Sequence, residues 1–157
     1  YLEAKKDIDV SFIGAPLDSR VRLLRFLIKN NIDVKIWGEG WHDYSEFRAY
    51  YGGHLNRKDF IRIVNRTKIN LSFTRNKYNG LHIKGRTFDL AGCRAFQLVD
   101  FYDEYQKYFK NDELVMFRDE KDLLKKIRYY LKNEKERETI AKKSSFCLFK
   151  KFSRERS

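Results

Sequence analysis

Short β-branched and aromatic runs alternate along this chain with stretches of helical periodicity, and no tight Asn-Gly turn joins two of the runs directly. Parallel strands need a crossover of helix length between them, so this alternation selects an open parallel sheet over a meander, sandwich or barrel. Ile8-Asp9-Val10-Ser11-Phe12-Ile13-Gly14-Ala15 is the first run, ended by Gly14 and by Pro16, the single proline. Asp18 or Ser19 is placed to cap a helix striped by Val21, Leu23, Leu24, Leu27 and Ile28. Ile32 to Trp37 is a second strand, and an aromatic, polar stretch from Gly38 to Gly53 holds a short third strand at Arg48 to Tyr51. Asn56 caps the next helix, which runs into a fourth strand, Ile69-Asn70-Leu71-Ser72-Phe73. After the polar loop Thr74 to His82 come a helix Lys84 to Cys93, a strand Ala95 to Val99, a short helix Tyr102 to Phe109 and a strand Glu113 to Phe117. Two charged amphipathic helices finish the chain. The expected fold class is α/β: a Rossmann-like open parallel sheet of about six strands, order 3-2-1-4-5-6, with helices on both faces and the final helix leaving the body.

A length of 157 residues suits a single domain over 1–157, with no repeat and no linker. Hydrophobic residues make up 42% and aromatics 16%, which excludes a disordered chain despite a net charge of +12. Cys93 and Cys147 have no partner at ligand spacing and read as small buried hydrophobes of a protein kept in a reducing compartment, expected to be cytoplasmic. No apolar run spans a bilayer and the first residues lack a signal-peptide core. The start at Tyr1, almost directly in a strand, hints at a piece of a longer polypeptide.

Ligands of such sheets bind beyond the carboxyl ends of the strands. The relevant loops are Gly14 to Ser19, Gly38 to Trp41, Tyr51 to His54 and Thr74 to Lys84. In Gly80-Leu81-His82-Ile83-Lys84-Gly85-Arg86-Thr87-Phe88-Asp89 two cations and a glycine stand where a loop becomes a helix, a place whose free amides and dipole favour a phosphate. Asp89 follows Arg86 by three residues on the same helical face, where a carboxylate accepts from ribose hydroxyls; an exposed surface ion pair explains the same spacing.

These residues also carry a resemblance. Ile69 to Arg75, Ile83 to Asp89, Gly92-Cys93-Arg94-Ala95-Phe96-Gln97-Leu98-Val99-Asp100, Tyr105 to Phe109, Phe117-Arg118-Asp119 and Leu123 to Leu131 together resemble the C-terminal domain of group 1 glycosyltransferases of the spore-maturation-protein-like type. Asp9 to Gly14 with Arg20, and Val34 to Trp41, are similar to that domain's first two strands, so the resemblance covers nearly the whole chain. It implies the half of a two-domain GT-B enzyme that binds a nucleotide-diphosphate sugar, inactive alone, with the acceptor held by a preceding N-terminal domain. Arg20, Lys84 and Arg86 would bind the donor diphosphate and Asp89 the ribose, with Gly14, Gly40, Trp41, Thr74, Arg75 and His82 in the donor loops. A second, sugar-facing acid would lie eight positions before Asp89, where this chain has Leu81, and Arg94 replaces a glycine.

No cofactor is expected: GT-B enzymes stabilise the leaving diphosphate with Arg, Lys and helix amides, and Asp7-Ile8-Asp9, the one Asp-x-Asp spacing considered, enters a strand at its amino end. The tail Lys142 to Ser157 interleaves cations with Phe146, Leu148, Phe149 and Phe152, fitting either a peripheral membrane contact or a helix crossing back to the acceptor domain. Two rival functions stay open here. One is a degenerate nucleotide-binding or sugar-binding domain without transfer. The other is a basic nucleic-acid-binding module, against which stands the even spread of cations without a recognition helix, so that nucleic acid is not an expected partner.

Overall fold

The computed structural model describes residues 3–78 and 80–154. Tyr1 and Leu2, Asn79 of the loop Thr74 to His82, and Glu155, Arg156 and Ser157 of the tail lie outside the described residues. The chain runs β1 (Ile8–Ile13), α1 (Asp18–Lys29), β2 (Val34–Trp37), α2 (Arg57–Arg66), β3 (Thr67–Ser72), α3 (Gly85–Gly92), β4 (Gln97–Asp100), β5 (Val115–Phe117), α4 (Glu120–Lys132) and α5 (Glu134–Arg154). The five strands pair in parallel, in the order β2-β1-β3-β4-β5. The α/β reading holds, with five strands in place of about six.

The missing strand has a physical cause. Residues 41–47 wind into two 3-10 turns, Trp41–Asp43 and Ser45–Phe47, which bury Trp41 and Phe47 edge-to-face in the main core. What remains of the expected third strand is a single parallel bridge between Tyr51 and Ile36, held by Ile36 N–H to the Tyr50 carbonyl and Gly52 N–H to the Ile36 carbonyl, both 2.8 Å. It flanks β2, the position given to the expected strand.

Alternation along β1 sends Val10 and Phe12 into the core shared with α1 and α4, and Ile13 toward α2 and α3 on the opposite face. The second face of the central strands is buried but partly polar: Ser11, Asn70 and Ser72 are buried there and paired, Ser11 donating its hydroxyl to Asn70 Oδ1 at 3.2 Å and Ser72 sharing a hydrogen bond with Thr87 of α3. Asn56 caps α2 by accepting from Asp59 N–H at 2.8 Å, as its position predicts. For α1 the expected Asp18 or Ser19 cap is replaced by Leu17, whose side chain makes no capping bond. The segment 102–109 is a 3-10 turn, Asp103–Lys107, rather than an α-helix. The last helix does not leave the body along its whole length: Ala141, Ser144 and Leu148 of α5 are buried against the domain, while Phe146, Phe149 and Phe152 are exposed.

Arg94 acquires an explanation. It follows α3 with φ 53°, the left-handed conformation that glycine adopts without Cβ strain.

Candidate functional site

Between β1 and β3 the order reverses, because β1 leads through α1 to β2 on one side and β3 through α3 to β4 on the other. That reversal opens a crevice at the carboxyl ends of the strands. A cleft of about 830 Å³ lies there, walled by Ile13-Gly14-Ala15 after β1, Gly38 and Glu39 after β2, His54 to Arg57 at the start of α2, and Arg86, Phe88 and Asp89 on α3.

The cleft floor depends on close backbone approach. Gly14 N–H donates to the Trp37 carbonyl at 2.9 Å, Trp41 Nε1 donates to the Gly14 carbonyl at 2.7 Å, and a Cβ at Gly38 would stand 2.5 Å from that carbonyl. Gly38 also has φ +130°, so both its conformation and its neighbour demand glycine. Trp41 is buried and touches the site only through the Gly14 carbonyl it holds. Gly40, with φ +91°, lies against Pro16 and does not line the cleft.

On the opposite wall, Arg86 stacks its guanidinium 4.4 Å from the Phe60 ring centroid. Burial pushes its pKa below the usual arginine value and the Asp89 carboxylate opposes that shift; the group stays cationic. Asp89 is exposed and faces the same cleft. No side chain caps the amino end of α3. Its position is set instead by a buried hydroxyl chain: Ser72 and Thr87 share a hydrogen bond of 3.0 Å, Thr87 and Tyr105 one of 2.9 Å, and Lys84 N–H donates to the Tyr105 hydroxyl at 3.2 Å. Tyr105→Phe keeps the packing and removes the acceptor. It should cost about 1–2 kcal/mol and weaken anion binding at the α3 terminus severalfold, measurable by denaturant melts and calorimetry; unchanged values in both would deny Tyr105 this role.

The other sequence-predicted residues form a second group beside the first. A Cβ at Gly14 would lie 3.5 Å from Arg20 Nη1, so the guanidinium sits against the cleft floor. Arg20 Nη1 donates to the Ala15 carbonyl at 3.1 Å and Nη2 to the Arg75 carbonyl at 3.4 Å, while Nε is buried without a partner. Lys84 is close enough to Arg20 for repulsion to lower its pKa, second to burial, with Asp100 opposing. Thr74 is buried, with its N–H on Asp100 Oδ1 at 2.5 Å. His82 is exposed, and Leu81, bridged to Arg75, lines a different hollow. The structure thus places Gly14, Arg86 and Asp89 in one cleft, with Arg20 at its floor and Lys84 near Arg20.

Arg57 and Phe60 of the cleft escaped the sequence reading; Glu39 and His54 lie in two of the loops it singled out, with His54 Nδ1 3.8 Å from Glu39 Oε1. The available signal was the Asn56 cap, because the residues flanking it start a helix just after two glycines. Asp7 and Asp9 at the other end of the sheet pair with Arg66 and Lys68. Among the described residues no group of three or more His, Cys, Asp or Glu is arranged to hold a metal ion, and no helix is long and apolar enough to cross a membrane.

A family model described as glycosyl transferase-like matches residues 20–154. Curated proteins give no significant match. Among solved structures, T4 phage BGT in complex with its UDP-glucose substrate aligns with a TM-score of 0.73 at 14% identity, over 96% of this chain and 46% of that one. A mutant of the same phage protein, also with UDP-glucose, gives 0.74 at 14% over 96% and 45%. A Listeria monocytogenes protein described as a UDP-N-acetylglucosamine 2-epimerase gives 0.59 at 13% over 90% and 42%. At these identities the likeness is one of fold, and the chain spans less than half the length of each.

Proposed function

The chain belongs to the glycosyl transferase-like family, and on that premise we propose that it is the donor-binding domain of a two-domain GT-B glycosyltransferase, taking a nucleotide-diphosphate sugar whose glycosyl group passes to an acceptor held by a second domain. The observation that carries the reading is the meeting of Gly14, Arg86 and Asp89 in one cleft at the sheet's switch point, with Arg20 against its floor. A bare glycine lets a diphosphate approach the backbone, Arg86 supplies a planar charge matched to phosphate oxygens, and Asp89 one turn on accepts from ribose hydroxyls.

Breaking the sugar–phosphate bond leaves negative charge on the departing nucleoside diphosphate. Arg86, Arg20, Lys84 and the uncapped amides of α3 are the groups placed to stabilise it, in a partly dehydrated site where fixed positive charge acts more strongly than in water. The buried, unpartnered Nε of Arg20 fits a guanidinium awaiting an anion. In this reading the diphosphate is held by the chain's own cations rather than by a metal.

A thermal-shift series over nucleoside diphosphates tests the reading. A ligand at 100 times its dissociation constant should add about 2.7 kcal/mol to stability, and the base that gives the largest shift identifies the donor. No shift with any nucleoside diphosphate at millimolar concentration would refute it.

A further inference from the structure

Asp100 is a half-buried carboxylate that the donor reading leaves without a task. It ends β4, and its Oδ1 accepts from Thr74 N–H, just after β3 and at the root of the loop that carries Arg75 and ends at Lys84. The Arg75 carbonyl in turn receives Arg20 Nη2, and Arg20 Nη1 holds the Ala15 carbonyl beside Gly14. One carboxylate therefore stands at the head of a bonded path from β4 through the β3 loop to the floor of the cleft. Its charge reaches further: burial lowers the pKa of both Arg20 and Lys84, with Arg20 adding to the lowering at Lys84, and Asp100 opposes the shift at each.

We propose that Asp100 is a positioning residue of the donor site, fixing the exit of the β3 loop through Thr74 and keeping Arg20 and Lys84 together as a diphosphate cradle. The inference rests on the donor-site reading and adds a residue that touches no donor atom. The groups facing Asp100 are Thr74 and Arg75 after β3, Arg20 on α1, Lys84 before α3 and Tyr105 after β4; Arg22, Arg118, Asp119, Glu120 and Lys121 border the same hollow. Burial pushes Asp100 above the usual carboxylate range, so it takes up its proton at a higher pH than an exposed aspartate.

Two variants separate charge from geometry. Asp100→Asn retains an acceptor for Thr74 but no charge; Asp100→Ala retains neither. Calorimetry with UDP-glucose, whose diphosphate does not titrate between pH 4 and 8 (about the range used), should show Asp100→Asn binding roughly fivefold to tenfold more weakly at the upper end. The ratio of variant to wild-type dissociation constants should fall toward one as pH drops through the Asp100 titration, because groups common to both proteins cancel in it. Asp100→Ala should in addition be cut faster by trypsin at Arg75 and Lys77, with Asp100→Asn close to wild type. Equal or tighter UDP-glucose binding by Asp100→Asn would overturn the proposal, since a mere neighbouring negative charge would repel the diphosphate. If wild type binds no UDP-glucose or other nucleotide sugar, the donor reading and the cradle fall together, and the trypsin comparison still decides whether Asp100 fixes the loop.

Discussion

Arg86→Ala is expected to weaken nucleoside diphosphate binding by roughly tenfold to a hundredfold while leaving the fold intact. Hydrogen bonds to charged groups contribute about 1.5–3 kcal/mol, and each 1.4 kcal/mol is about a factor of ten in affinity. The guanidinium lines the cleft and leans on Phe60 on its other side, so its removal opens space at a solvent-accessible wall and does not hollow the core. Lys84→Ala should act in the same direction. Asp89→Asn should behave differently, weakening nucleotide binding but leaving pyrophosphate binding unchanged or slightly tighter, because the ribose loses a charged acceptor while the diphosphate loses a repulsive neighbour. Calorimetry with both ligands on the three variants separates these outcomes. Uniform binding across them would mean that the fold is kept without its site.

The second large effect falls on the cleft floor and is one of stability. Gly38→Ala places a methyl group 2.5 Å from the Gly14 carbonyl oxygen at a backbone φ of +130°. Neither strain can relax cheaply, because Gly14 is tied by its N–H to Trp37 and by its carbonyl to Trp41, and Gly38 N–H is tied to Gly53. Backbone strain and overpacking together should cost about 3 kcal/mol, lowering the melting temperature by roughly 6–12 °C for a domain of this size. Gly85→Ala is the control, since a Cβ there meets nothing within 4 Å. A melting temperature for Gly38→Ala within a degree or so of wild type would show that the two loops are not locked together (about 1 °C is well under the shift expected for 1 kcal/mol).

How much of this was legible in the sequence follows from what each residue does. Val10, Phe12, Ile69 and Leu71 declare the core face of β1 and β3 because solvent exclusion writes itself as an apolar residue at every second position, whereas the buried Ser11 and Asn70 between them read as an exposed face. Arg86 and Asp89 declare a site because three residues of helix put them on one face, a local fact that needs no knowledge of the fold. The stretch 41–51 misled because aromatics favour strands and also fill cores, and here Trp41 and Phe47 serve the core in 3-10 turns. Arg57 and Phe60 were not legible as cleft residues: they come from α2, which meets α3 only after β1 and β3 pair. Asp100 and Tyr105 act on backbone amides of distant residues, Thr74 and Lys84, and a contact to an amide leaves no trace in the identity of its partner.

If a nucleotide-sugar donor lies in the cleft between the β1 loop and α3, a crystal of the protein soaked with UDP should show diphosphate density between Gly14 and the Arg86 guanidinium, with the ribose hydroxyls within hydrogen-bond distance of the Asp89 carboxylate. Nucleotide density anywhere else on the domain, or a diphosphate that leaves Arg86 uncontacted, would contradict it.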